Sequence, residues 1–420
     1  MEEQLKIDFE KLLEKSNFSK RNIEIKRKSF INFIEKGFPN KREENWKFSD
    51  LSQIISKNIK NLSFYNDLSK PNKIDQSIFF DGLEHNKLVF VNGRIEKIEF
   101  DYEEKNKIEI LDNLVLEKSN NSNNSLLFLN NAFVSKYFKL IVKKNYSLKK
   151  PLVIYNITNK DLVSKSINLK VDILLEENSS LKLVDFSNDE SITNFININY
   201  NFDVQKNSIL KNYKIDNNSN SNVKYYFNNI NQDSNSVAEI FLLSSGSEFI
   251  KNEINCNLNG KYASAFVNGV FILNETKHHE IKTNINHLIE NTKSYQLIKG
   301  VLEDKSKAVY QGKIFVNSKA QKTDGYQLSK AILLNEYTEF NAKPELEIYA
   351  DDVKCSHGSA SGNLNEESIF YLKSRGLNYK EAKKLLINGF LLDVVEKITD
   401  FEIKNLMKNI MNLKQWTLII

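Results

Sequence analysis

The sequence predicts a mainly β chain with helices at both ends and a parallel β-solenoid as its core. Three observations lead there. Apolar residues near the N-terminus recur with helical spacing, an alternation of period two begins at about Leu88, and helical spacing returns after about Asn363. The implied order is an N-terminal helical region over 1–85, a parallel β-helix over 86–360 and a C-terminal helical domain over 361–420.

In the first segment Leu5, Phe9, Leu12 and Leu13 fall on one helical face, and Phe30, Ile31 and Ile34 form a second stripe. Gly37-Phe38-Pro39 ends the second helix, because Gly serves as a cap and Pro cannot continue the ladder. Such amphipathic helices need something to dock on.

Leu88–Val91 followed by Asn92-Gly93 predicts a strand and a turn. Further on, Ile196, Ile198, Tyr200, Phe202 and Val204 alternate with Asn and Asp, and Ile167, Leu169, Val171 and Ile173 do the same. These are strands with one face in a core. Alternation persists without a helical pattern between strands, which excludes a doubly wound fold, whose parallel strands need helical crossovers. So many strands also strain a single sandwich. Stacked coils leave unpaired edges only at their two ends, so a solenoid fits, although no strict repeat is visible. Two polar runs, 119–125 and 216–220, are expected to be loops protruding from the stack.

After Asn363, Asn365 is a candidate cap for a helix through Ser374 that Gly376 ends, and Asn378 with Glu381 reads as a capping box. Leu385, Leu386, Phe390, Val394 and Val395 then supply an apolar stripe, and Ile403, Leu406, Met407 and Ile410 mark a last helix.

Composition narrows the function. The 420 residues carry 59 basic and 54 acidic side chains, interleaved, so no nucleic-acid footprint is indicated. No run approaches the roughly 20 apolar residues that span a bilayer, and the acidic start Met1-Glu2-Glu3 lacks the core of a secretory signal. With 2 cysteines there is no disulfide framework, and a reduced, cytoplasmic setting is expected.

Of the cysteines, Cys256 alternates in register with Ile254 and Leu258 and reads as a buried apolar group. Cys355 differs. It stands in Asp351-Asp352-Val353-Lys354-Cys355-Ser356-His357, where the strands give way to helices. In an extended chain Cys355 and His357 share a side, and a thiolate with an imidazole suits iron, zinc or cluster chemistry. Two ligands do not complete a tetrahedral site, so others must come from elsewhere, for instance across a subunit interface. On spacing alone, a strand end with a buried thiol and a solvated histidine stays open as the plainer reading. His278, His279 and His287 read as hydrogen-bonded strand residues, and His85 as exposed in a polar turn. No phosphate-binding loop, nucleophile elbow or zinc-binding H-E-x-x-H helix is present. Asp351 and Asp352 are neighbours pointing to opposite faces, which argues against a carbohydrate-cleaving pair.

The run from Pro344 through Glu347, Tyr349 and Ala350 to Gly358 resembles the signature of the SufB/SufD family, scaffold proteins of the SUF iron–sulfur assembly system. The similarity continues through Phe370–Gly376 and Leu385–Phe390, and upstream through Gln311-Gly312-Lys313, Gln321–Asp324 and Leu333-Leu334. Glu43–Leu51 is similar to an N-terminal motif of the family's SufD branch, with Phe48 where Tyr is common. Ser359-Ala360 departs from the usual order, which has Ala first.

The resemblance implies a right-handed parallel β-helix flanked by helical domains. It implies a non-enzymatic scaffold subunit that pairs with a SufB-like subunit and docks a SufC-like ATPase on its C-terminal helices. Phe370, Tyr371, Leu385, Leu386 and Phe390 are the docking candidates. It further implies that Cys355 and His357 take part in a transient iron–sulfur cluster at the subunit interface. Sulfur would come from a cysteine desulfurase relay, and reduced flavin would accompany the assembled complex. The rival expectation is a β-solenoid that binds partners without touching metal.

Overall fold

The computed structural model describes residues 2–65, 73–112, 123–190 and 193–415. Three helices open the chain, α1 (Glu2–Lys15), α2 (Lys20–Lys36) and α3 (Leu51–Asn58), with a 3-10 turn at Glu44–Trp46. Strands β1 (Asn86–Val91), β2 (Arg94–Glu99) and β3 (Ile108–Asp112) follow, then helix α4 (Ser125–Phe133). The coils are built from β4 (Tyr137–Val142), β5 (Leu152–Thr158), β6 (Ser166–Leu175), β7 (Ser180–Asp189), β8 (Phe195–Val204) and β9 (Ile209–Asp216). They continue with β10 (Val223–Gln232), β11 (Val237–Ser244), β12 (Phe249–Leu258), β13 (Ser264–Leu273) and β14 (His278–His287). The last are β15 (Lys293–Leu302), β16 (Lys307–Val316), β17 (Thr323–Leu333), β18 (Glu339–Ile348) and β19 (Val353–Gly362). Helices α5 (Glu366–Ser374), α6 (Tyr379–Val395) and α7 (Phe401–Gln415) close the chain.

From β4 onward odd and even strands sort into two sheets, with β1 and β2 joining the odd set and β3 the even, giving one 10-stranded and one 9-stranded sheet among the described residues and a solenoid of about eight turns. Each strand pairs in parallel with the one a full coil away, except for the antiparallel pairs β1–β2 and β3–β4 at the first coil. Inward residues of both sheets form one apolar interior, including Leu183, Ile198, Tyr200, Ile240, Ile254 and Cys256. The alternation read from Ile196 to Val204 holds, since all five apolar residues are buried.

The coil repeat resides in the turns rather than the strands. Asn145, Asn178, Asn207, Asn235, Tyr262, Asn291 and Lys322 all have positive φ and recur 27–33 residues apart. Asn tolerates this left-handed conformation better than other side chains, which is why it recurs there. Its amides also stack, with Asn178 donating to Asn145, Asn207 to Asn178 and Asn235 to Asn207. After the turn comes a small buried residue, as at Ser179, Ser208, Ser236, Ala263, Thr292 and Thr323.

The helices do not plug the ends of the stack; they cover its outer faces. On the 9-stranded sheet, Phe195, Val223, Tyr225 and Phe249 pack against Leu5, Phe9, Phe33, Trp46 and α4. On the 10-stranded sheet, Val184, Tyr213, Phe241 and Val270 pack against Ile387, Leu391, Val394 and Met407. Because both faces of many strands are covered, polar residues such as Asn197 and Asn199 are also buried. The Asn197 side-chain nitrogen donates to the carbonyl of Leu126 in α4.

Several expectations are corrected. Helix α4 interrupts the β region, and its nine residues are all buried, so it shows no amphipathic period to read. It begins at Ser125, capped by Asn124, so the end of the polar run 119–125 is helical; residues 119–122 lie outside the described residues. Asp216 is not in a protruding loop but buried, held by Lys224 and Tyr226. In α2 the core face is Ile25, Ser29 and Phe33, and Ile31 points outward. His85 is buried rather than exposed, with its ring nitrogens at 2.6 Å from the Leu83 carbonyl and 2.8 Å from the Tyr155 hydroxyl.

Candidate functional site

The two last strands leave the stack open. β19 is hydrogen-bonded to β17 and β18 to β16, and among the described residues each has an unpaired outer edge. Most of β19 is exposed. An unpaired strand edge is a row of unmet donors and acceptors, a template for another chain.

Register fixes which side chains face inward at this open end. Gly325, Gln327, Ser329 and Ala331 of β17 are buried and face the interior. Their in-register partners in β19 are Cys355, His357, Ser359 and Ser361. Direct contacts on either side of His357 agree: a Cβ on Gly325 would lie 3.3 Å from Cys355 Sγ, and Ser329 Oγ donates to Ser359 Oγ at 3.0 Å. Cys355 and His357 therefore share one face of β19, the interior face of the last coil. Cys355 is half-buried against Ile314 and Val316, while His357 is exposed at the mouth.

The turn that aims β19 is tied down by its neighbours. Asp352 N donates to Gln321 Oε1 at 2.9 Å, and Lys322 N, in its positive-φ turn, donates to the Asp352 carbonyl at 2.5 Å. This gives the Gln321–Asp324 stretch a local purpose.

Burial raises the Cys355 thiol pKa above its ordinary value, and the Asp324 carboxylate adds to the rise, while the Gly325 backbone opposes it. The thiol of the lone chain thus stays protonated at neutral pH, and a metal or a cationic neighbour is needed to draw off its proton. Cys256 is pushed up to about 12 by complete burial, which leaves it inert. Among the described residues no group of three or more His, Cys, Asp and Glu forms a metal-binding set, so Cys355 and His357 have no third protein ligand beside them.

The C-terminal helices carry the second candidate surface. α6 turns Ala382, Ile387, Leu391, Val394 and Val395 to the sheet, so the apolar stripe read from sequence divides in two. Phe390 lies on the packed side, under the ammonium of Lys299 at 4.4 Å from its ring centre. Leu385 and Leu386 lie on the other side and, with Glu367, Tyr371 and Leu372, line a groove of about 390 Å³. Phe370, Tyr371 and Leu385 are 74%, 56% and 52% exposed, too much large apolar surface on one short segment to ignore. The groove does not fit a flavin dinucleotide: no glycine-rich phosphate cradle borders it, and carboxylates of Glu366 and Glu367 occupy the start of α5.

The remaining histidines are structural. His279 lies between Ser244 Oγ at 2.9 Å and the Ser247 carbonyl at 2.7 Å, and His287 between Thr292 and Ser294. The Glu43–Leu51 motif is a bracket rather than a reactive group. Lys251 donates to the Asn45 carbonyl at 2.8 Å, Gln311 reaches the Glu44 carbonyl at 3.4 Å, and Glu44 pairs with Lys343 of β18. The mates of Glu44 and Asn45, and the place of Ser359 on the face of His357, are not among the sequence expectations. Extending the i, i+2 alternation by one step would have found Ser359, whereas nothing local marks Lys343 as the mate of Glu44.

Comparison with known proteins bears on this geometry. The family described as SUF system FeS cluster assembly, SufBD core domain, matches residues 156–390. The chain is 27% identical over 379 residues to the iron-sulfur cluster assembly protein SufD of Escherichia coli (strain K12), covering 88% of each chain. It is 25% identical over 390 residues to the protein ABCI7, chloroplastic, of Arabidopsis thaliana, covering 89% of this chain and 82% of that one.

Proposed function

The chain belongs to the SUF system FeS cluster assembly, SufBD core domain family, and from that premise we propose that it is a scaffold subunit on which iron–sulfur clusters are assembled. It pairs end-on with a SufB-like subunit, carries a SufC-like ATPase on its C-terminal helices and has no turnover of its own. Its setting is the cytoplasm; no helix among the described residues is long and apolar enough to cross a membrane.

One observation carries the reading. Cys355 and His357 lie together on the interior face of the last coil, at a mouth rimmed by the unpaired edges of β18 and β19. A partner strand added to those edges would roof the mouth and bring its own side chains over the pair, completing a ligand set that this chain leaves at two. Soft sulfur and borderline nitrogen donors hold iron, and a site shared between subunits releases its cargo when the subunits move apart. The cargo's charge overcomes the raised thiol pKa, so binding expels a proton and strengthens with pH.

The ATPase reading rests on the groove between α5 and α6. Tyr371, Leu385 and Leu386 offer the apolar centre and Glu367 a polar rim, the layout of a protein contact. Motion of a subunit held there would pass through α6 to the sheet it covers. Sulfur delivered by a desulfurase relay would meet iron at the mouth; no step is assigned to flavin on this chain.

The test is co-expression with the SufB-like and SufC-like chains, affinity isolation without oxygen, and analysis for iron and sulfide. The expected result is co-purification with bound iron and sulfide that His357→Ala diminishes. Co-purification with the same iron and sulfide in wild type and His357→Ala would leave a partner-binding solenoid with no metal role.

A further inference from the structure

Beneath His357 the interior of the solenoid changes character. In-register pairing makes a column of inward residues that reads Leu183, Asn212, Ile240, Val267, Gln296, Gln327 and His357. Neighbours in such a column are about 4.8 Å apart. The lower part is mostly apolar, and an apolar residue under His357 would pack at no polar cost. Instead two glutamines, 1% and 0% exposed, occupy the two positions directly below the histidine. Buried amides are unfavourable unless bonded, so this placement requires a reason.

Their bonds form a bridge between the sheets. Gln327 Nε2 donates to the Glu345 carbonyl of β18 at 3.3 Å. The Tyr310 hydroxyl of β16, itself buried, lies 3.1 Å from Gln296 Oε1 and 3.4 Å from Gln327 Oε1, with Thr283 Oγ1 at 3.3 Å. A glycine clears the space: a Cβ at Gly312 would stand 2.3 Å from Gln327 Oε1 and 2.4 Å from the Tyr310 hydroxyl. The hydroxyl has one proton and a nearer acceptor in Gln296, so Gln327 Oε1 retains lone pairs for another donor.

We propose that Gln327 is the positioning residue of His357: the exposed ring, which makes no hydrogen bond among the described residues, turns to donate one N–H to the Gln327 carboxamide oxygen so that the other nitrogen is presented at the mouth. This rests on the reading of His357 as a ligand of the cargo. A ligating histidine needs an acceptor for its second nitrogen, which fixes both tautomer and ring orientation. Gln327 is the in-register neighbour on the same face, anchored at its far side by Tyr310 and Glu345. Tyr310 and Gly312 act one step further back, holding the amide and leaving it room.

The first measurement uses the lone full chain and needs no cluster. Ring 15N shifts of His357, assigned by their disappearance in His357→Asn, report the tautomer of the neutral imidazole at mildly alkaline pH. The wild-type ring is expected in one dominant tautomer, Gln327→Leu in a mixture, and Gln327→Glu, which keeps an acceptor, in the wild-type form. If Gln327→Leu does not fold, Gln327→Met keeps the length without the acceptor and replaces it. Unchanged shifts in a folded Leu or Met variant overturn the proposal. The second measurement is iron in the co-isolated complex, expected to fall about tenfold in Gln327→Leu and recover in Gln327→Glu. If the shifts respond while iron content is the same in every variant, His357→Ala included, the contact stands and the cargo reading falls.

Discussion

The ammonium of Lys251 sits 4.3 Å from the centre of the Trp46 ring. Lys251 is also paired with Glu280, and both are buried, so the indole closes a charged pair off from water. Trp46 further packs beside Tyr225 and Phe249, so one side chain spans two neighbouring coils. Trp46→Ala is expected to destabilise the chain by about 3–5 kcal/mol in chemical denaturation, and Trp46→Phe by clearly less.

Lys224 is fully buried between two carboxylates, bonded to Asp216 at 2.8 Å and paired with Asp189. Removing the cation strands two charges in the interior. Lys224→Met is therefore expected to cost about 3–5 kcal/mol, and the triple change with Asp189→Asn and Asp216→Asn to recover part of it. Equal losses in the single and triple variants would show that the charges do not act as a unit.

Two buried histidines set an acid limit. Burial lowers the pKa of His279 and of His287 to about 4. An unfolded histidine titrates near 6.5, so between about 6.5 and 4 the unfolded chain binds the additional protons. Stability falls as pH drops through that window, by up to roughly 3 kcal/mol for each ring, and this contribution levels off below it. His279→Gln is expected to flatten the slope of unfolding free energy between pH 6.5 and 4; an unchanged slope would assign the effect to other groups.

Tyr262 holds a positive φ of 63° in a turn where neighbouring coils use Asn. Its side chain is 59% exposed, so it gains little from packing. Tyr262→Asn is expected to raise stability by about 0.5–1 kcal/mol through relief of backbone strain, read from the denaturation midpoint.

Leu385 lines the α5–α6 groove from outside the core. Leu385→Asp is expected to change stability by less than about 0.5 kcal/mol yet to abolish co-purification of the ATPase subunit. Retained co-purification would place that contact elsewhere.

The periods of the chain were legible because they record burial. Phe9 and Leu12, or Ile198 and Tyr200, recur as a helix or a strand requires, and the caps at Asn365 and Asn378 are visible as local chemistry. Helix α4 was hidden because a helix buried on all sides has no polar face. The coil repeat was hidden because strand residues vary freely within an apolar class, while the constant element is a single Asn in a short turn. Leu385 and Leu386 read as one stripe with Val394 and Val395, because sequence spacing alone does not say which of two apolar flanks meets the sheet. At the candidate site, alternation placed Cys355 and His357 on one side of a strand. That this side faces the inside of a coil follows only from the register with Gly325 and Gln327, and register is a long-range property.

The two ends of the stack are not alike. At the first coil, antiparallel β2 presents Arg94, Glu96, Lys97 and Glu99 along its edge, charges that discourage any strand from joining. At the other end β18 is guarded too, by Glu339, Lys343, Pro344, Glu345 and Glu347, whereas β19 has Lys354 as its one Lys, Arg, Asp or Glu. A joining strand therefore meets the fewest charges along β19. A stack with one more receptive end would pair through that end and stop there, rather than extend into a fibre.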